Sequence, residues 1–272
     1  ELSRRANILD PVSQLYVLKE EEDSVRASNE LKTPLAIRAN AAEDCVDIIF
    51  KSELEDTGEN DFFSKTNIHV HFVQFDVQAS DGVSTGFNYE QSIRPFTVEG
   101  EILQDPVLAR DKMVRLGSTE RFQPGILVGI GMDQAETFEV HRIVEISGDT
   151  LILEEPLKYP HSRGEIVSTE FVRYRWYPDV QFGTAYFHDH VSALTSWRHG
   201  LFGALVSEPA GSTYHDPHTG QQVRSGPIVD VRTDTRVSAD VSGSFREMVL
   251  FIQDGNPLTQ VGDSSGSSYN LR

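Results

Sequence analysis

Short apolar runs that alternate with polar residues dominate this chain, and no long segment keeps a clean 3.6-residue period. In residues 45–51, CVDIIFK, the side chains of Val46, Ile48 and Phe50 share one face and Asp47 takes the other, as in a strand. Similar runs recur at 68–77 (IHVHFVQFDV), 126–130 (ILVGI), 136–146 (ETFEVHRIVEI), 150–153 (TLIL), 201–206 (LFGALV) and 246–253 (REMVLFIQ). Pro124-Gly125, Ser147-Gly148-Asp149, Asp216-Pro217 and Thr219-Gly220 separate them as turn signals. Only 191–198, VSALTSWR, reads as a helical turn or two. The alternation predicts a mainly β fold, sandwich or barrel.

Residues from about 110 to 168 read as a self-contained unit of successive antiparallel strands, with a three-residue turn before TLILEEPL. Residues 211–244, rich in Gly, Ser, Thr, Asp and Pro, read as a connecting loop and hairpin. The tail 261–272 is linker-like and follows a strand left without partners, so that end of the chain reads as cut. Glu1-Leu2-Ser3-Arg4-Arg5 lacks the apolar core of a signal peptide, as would a processed N-terminus or a piece of a longer chain.

Composition narrows the function classes. The 272 residues hold 24 Lys plus Arg against 42 Asp plus Glu, a formal charge of −18, which argues against a nucleic-acid backbone as partner. Such a balance suits cationic partners or substrates, and also plain solubility. No stretch approaches the ~20 apolar residues of a spanning helix, so no membrane span is expected. A single cysteine, Cys45, excludes an intrachain disulfide and any Cys-rich metal framework.

Four of the nine histidines fall into two His-x-His pairs, His69/His71 and His188/His190, where chance gives about 0.3 such pairs. In a strand, residues i and i+2 project from one face, so each pair presents two imidazoles side by side. Two such strands facing each other would bring four nitrogen donors together. Imidazole suits copper, zinc, iron and nickel, so the ligand type alone does not name the metal. The alternative is four histidines on exposed strand faces, but the flanks Val70, Phe72, Val73, Phe75, Tyr186, Phe187 and Val191 are apolar. Buried paired imidazoles need partners, and a metal supplies one.

These residues resemble the multicopper oxidases. HVHFVQFDVQASDGV is similar to the family's first copper motif with a downstream Asp-Gly. TAYFHDHVSALTSWRHGLFGALVSEP is similar to the second, with its Gly-Leu-x-Gly-x-Leu strand and closing Pro. RANAAEDCVDIIFKSEL resembles an early cupredoxin strand, and REMVLFIQD the first strand of a following domain. Within the family the chain looks most like large bacterial members that include manganese oxidisers.

The resemblance implies a cupredoxin-like Greek-key β-sandwich over 1–96 together with 171–210, carrying both motifs. Ordinary members hold the motifs much closer than the 117 positions between His71 and His188, so 97–170 is read as an inserted small β-barrel. A connecting segment over 211–244 and the start of a second cupredoxin-like domain over 245–272 complete the expected organisation.

By the same resemblance, His69 would ligate a type 2 copper, and His71, His188 and His190 a type 3 pair. Asp81, in the Asp-Gly, would support proton delivery during dioxygen reduction, although a turn-forming Asp-Gly is an equally natural reading. Asp189 alternates to the opposite face from its neighbouring histidines and reads as structural.

No further His cluster completes the site, and no His-Cys-His supplies a blue copper; Cys45 sits in an early strand. The expectation is therefore half of a trinuclear copper site. Remaining segments or another chain would carry the other ligands, with a blue copper elsewhere oxidising Mn(II), Fe(II) or a phenol. Secretion to the periplasm or outside is implied.

Two other classes stay open. One is a non-catalytic cupredoxin-like structural or interaction domain of a large secreted protein. The other is a zinc or copper hydrolase-like site on the same imidazoles. Among the remaining histidines, His141 shares a face with Glu139 and Glu145 and reads as solvated, and His161 as part of a turn. His199 matches no ligand position, and His215 and His218 flank a loop signal.

Overall fold

The computed structural model describes residues 8–10, 13–28, 32–55, 64–83, 91–233, 243–257, 259–260 and 267–271. The readings made for Glu1–Arg5 and for 261–266 lie outside the described residues. The fold is mainly β, and no helix among the described residues is long and apolar enough to cross a membrane. The chain divides into two compact units: Glu1–Ile48 with Asn67–Ser92 and Arg173–Arg272, and Ile49–Thr66 with Ile93–Val172.

The second unit is built on one six-stranded sheet. Its spatial order is Glu101–Ile102, Ile166–Ser168, Leu127–Ile130, Glu139–Ser147, Thr150–Leu153, Met113–Arg115. A bridge between Leu103 and Leu116 and the bond from Gln104 N–H to Arg115 O (2.9 Å) join the two edges, so the sheet closes on itself. Closure removes the unpaired edges that an open sheet would expose. Alternation sends Val128, Ile130, Ile143, Leu151, Leu153 and Val167 inward to one buried cluster with Leu103, Val114 and Leu116. The Ser147–Thr150 hairpin turns on Gly148 at φ +62°, a conformation that costs glycine no Cβ clash.

The first unit carries the His-x-His motifs on a four-stranded sheet ordered Leu35–Asn40, Phe202–Glu208, Gly183–His188, His69–Val70. Leu35–Asn40 runs parallel to Phe202–Glu208, and the other pairings are antiparallel. Every residue of Phe202–Glu208 is buried, as expected for a central strand covered on both faces. Gly203 stands opposite Phe187, and a Cβ there would meet the Phe187 ring at 2.3 Å and Leu35 O at 2.5 Å. Phe187 in turn packs against Trp176 and Tyr16, with ring centroids 5.9 and 5.8 Å away. These apolar contacts fill the face of the sheet opposite the histidines.

Two expectations from the sequence need correction. The run 68–77 is not one strand: His69–Val70 belongs to the four-stranded sheet, Gln74–Phe75 pairs with Trp176–Tyr177, and Val77–Ser80 is a helical turn. Phe72, at φ +61°, breaks the run and lets the chain leave one sheet for another. The hairpin expected within 211–244 is present. Thr213–His215 and Ile228–Arg232 pair in sequence with Ser244–Met248, around Tyr214, Val229 and Val231. The strand over 246–253 is therefore not partnerless. Ser244–Met248 has that neighbour, and Ile252–Pro257 pairs with Ser267–Leu271 inside the tail read as linker.

Candidate metal centre

Strand register brings the two motifs together. His69 stands directly opposite His188, and His71 N–H donates to Tyr186 O at 2.9 Å, one step further along. Because side chains two apart share a face, His69, His71, Tyr186 and His188 all project to the same side. One nitrogen from each of His69, His71 and His188 lies within 4.8 Å of the others, a group that can hold a metal ion. The His190 ring stands 5.2 Å from that of His69 and 5.6 Å from that of His188, but lies outside the group of three. It is exposed, because the chain leaves the strand after His188.

Two of the rings, those of His69 and His188, are oriented by what the other nitrogen does. His69 Nδ1 sits 2.6 Å from Asp81 O, and His188 Nδ1 sits 2.7 Å from Asp189 O. A carbonyl only accepts, so both Nδ1 atoms carry the proton and a neutral ring keeps its lone pair on Nε2. His188 Nε2 faces His71 Nε2 at 3.0 Å. Burial, and then the neighbouring His69, His71 and His190, hold the His188 pKa down at about 4, against the opposing pull of the Asp189 carbonyl. Burial first, then His69 and His190, lower that of His71. At neutral pH these two rings are uncharged, the state a metal requires of an imidazole. Three converging imidazole nitrogens, two of their rings fixed from behind by carbonyls, can hold a metal ion.

The surroundings are aromatic and tightly bonded. Trp197 packs edge-on against His188 with centroids 4.2 Å apart, and Tyr186 lies 4.7 Å from the same ring. Asp81 is close: its Oδ1 stands 3.5 Å from His69 Nδ1, so both its carbonyl and its carboxylate face that ring. Gly82 explains the Asp-Gly pair. It adopts φ +70°, and a Cβ there would fall 1.8 Å from Ile68 O, on the residue just before His69. Asp189, buried between the two ligand-type histidines of its motif, accepts bonds from Asn67, Ser192 and Ser196. Asn67, Tyr186 and Trp197 carry no sequence signal of their own; their roles come from partners far along the chain.

The second unit overturns the reading of His141 as solvated. His141 is 5% exposed, and its Nε2 lies 2.6 Å from Glu139 Oε2. His161, also buried rather than in an open turn, bridges Glu139 Oε1 (3.0 Å) and Glu165 Oε2 (2.7 Å). Glu139 further accepts the N–H groups of Lys158 and Tyr159. Burial pushes the Glu139 pKa up, but the bonds from His161, Lys158, His141 and Tyr159 outweigh it and leave a net lowering. With five bonds already on its two oxygens, this carboxylate is the hub of a structural network. His199 is likewise bonded, its Nδ1 lying 3.0 Å from a buried Asp10 oxygen. His215 bonds Thr213 Oγ1 and Gly220 O.

Neither the comparison with protein-family models nor the search of curated proteins returns a match for this chain.

Proposed function

We propose that this chain is part of a multicopper oxidase, in which His69, His71, His188 and His190 supply half of a trinuclear copper site. The observation that carries the reading is the convergence of His69, His71 and His188 on one sheet face, with the Nδ1 atoms of His69 and His188 tied to carbonyls. The likeness of both motifs to the family's copper motifs names the metal. Copper held there would supply one-electron redox chemistry and a binding site for dioxygen.

The protein's own residues hold and orient the imidazoles, and Tyr186 and Trp197 cover His188 and limit water around it. Asp81, whose carboxylate stands beside His69, would support proton delivery on that side of the site. Other segments of the same oxidase, or a partner chain, supply the missing ligands and the blue copper. The reductant is a metal ion such as Mn(II) or Fe(II), which the acidic balance suits, or a phenol. The setting is extracellular or periplasmic.

The test is His188→Ala in the complete oxidase, followed by dioxygen uptake with Mn(II), Fe(II) and a phenol in turn. Loss of uptake with every reductant supports the reading. Unchanged uptake sinks it and leaves a cupredoxin-like scaffold domain, while hydrolytic turnover without uptake would favour a hydrolase site.

A further inference from the structure

We infer that Asp189 is the positioning residue of the metal centre, a clasp whose carboxylate sets the placement of one His-x-His motif against the other. The inference rests on the metal-centre reading and deepens it. Alternation along the strand makes Asp189 the residue that points away from the ligand face, and it is 1% exposed. A carboxylate so buried must collect donors, and this one draws them from both motifs.

Its Oδ1 accepts the Asn67 backbone N–H at 3.1 Å, two residues before His69. Its Oδ2 accepts Ser192 N–H at 2.9 Å and Ser196 Oγ–H at 2.7 Å, in the turn that follows His190. A second bond runs the other way from the neighbouring residue: Asn67 Oδ1 accepts the His190 N–H at 2.7 Å. Asn67 is itself pinned, with Tyr16 O–H donating to its carbonyl at 2.6 Å and its Nδ2 donating to Ser92 Oγ at 3.0 Å. The Asp189 carbonyl accepts from His188 Nδ1 and from Trp197 Nε1, whose ring packs on His188.

One residue thus fixes the tautomer of His188, the ring against it, the turn after His190 and the backbone before His69. The strand that holds the first motif in the sheet is short, His69–Val70, extended by the one bond from His71 N–H to Tyr186 O. So short a ladder cannot define ring positions to a few tenths of an ångström, and the Asn67–Asp189 and Asn67–His190 bonds supply what the sheet does not. Substituting Asn for Asp189 places an amide N–H₂ where two donors now converge, and breaks one side of the clasp while keeping the side chain's volume.

The experiment is Cu(II) titration of the full chain by calorimetry, with the Cu(II) electron paramagnetic resonance spectrum recorded for each variant. Asp189→Asn is expected to weaken Cu(II) binding about 10–100-fold and to change the copper hyperfine pattern. Val231→Ala, a core truncation in a different sheet, controls for lost stability and is expected to leave both readouts as in the wild type. Should Asp189→Asn fail to fold, Ser196→Ala carries the same expectation in direction, because it removes a donor to the Asp189 carboxylate. Cu(II) affinity within twofold of wild type and an identical spectrum in the variant would overturn the clasp alone. A wild-type chain that takes up no Cu(II) would overturn the metal-centre reading beneath it.

Discussion

His69 and His188 face each other across one antiparallel step, with ring centroids 5.4 Å apart and each Nδ1 bonded to a backbone carbonyl. Two chain segments remote in sequence therefore present matched, pre-oriented Nε2 atoms on one sheet face. His71 joins them through the strand's two-residue period, and His190 stands at the rim.

That arrangement ranks the four imidazoles. His188→Ala, which removes a buried member of the group of three, should cost at least about 100-fold in Cu(II) affinity, more than loss of an outer partner would. His190→Ala, exposed and outside the group, should cost less in this chain alone. Competition titration with a chromogenic chelator measures both, and equal losses would contradict the ranking.

Gly82 is where the Asp-Gly pair meets the histidine strand. Gly82→Ala places a Cβ 1.8 Å from Ile68 O at a backbone φ of +70°, so the strand or the turn must move. A loss of roughly 3 kcal/mol in stability is expected, with weakened Cu(II) binding because His69 follows Ile68 directly. Denaturant unfolding and metal titration of the same sample check both halves.

Phe72 pays a conformational cost next to His71: it sits at φ +61° while its side chain is 84% exposed. Phe72→Gly relieves a left-handed conformation worth roughly 1–2 kcal/mol and gives up almost no burial. Thermal unfolding should show equal or higher stability, whereas a marked loss would mean that the Phe72 ring does more than its exposure indicates.

The Glu139 network predicts an acid-sensitive second unit. Its bonds lower the Glu139 pKa from the ordinary 4.5, so the folded chain binds this proton more weakly than the unfolded one. The contribution is complete above that ordinary value and disappears as pH falls through the folded one. Glu139→Gln should cost about 3 kcal/mol at pH 7, since it removes the charge that both buried imidazoles face. The gap between wild type and variant should then narrow below about pH 4.5, as unfolding curves from pH 3 to pH 7 would show.

What the sequence made legible was periodic. Alternation located Val46–Lys51, Leu127–Ile130, Glu139–Ser147, Thr150–Leu153 and Phe202–Glu208, but not Leu35–Asn40 or Phe171–Tyr177, and the two-residue period anticipated the shared face of His69, His71 and His188, whereas His190 lies past the end of its strand. The break at Phe72 was not legible, since an apolar, aromatic run gives no sign that one residue will adopt φ +61°. Nor was the burial of His141: alternating with Glu139 and Glu145, it reads as solvated until His161 arrives from 22 positions away to share the Glu139 carboxylate. Asp189 read as structural from its alternation alone, but the partner that gives it consequence, Asn67, lies 122 positions upstream. Local pattern carries the face of a residue, whereas partners fixed by tertiary pairing have no local trace.

The most direct test of the central claim is copper per chain, measured by elemental analysis of the full chain after reconstitution with Cu(II) and removal of loosely bound metal. The account predicts at least about one copper per chain in the wild type and a background level in the His71→Ala/His188→Ala double variant. Background copper in the wild type, or equal copper in the double variant, would contradict it.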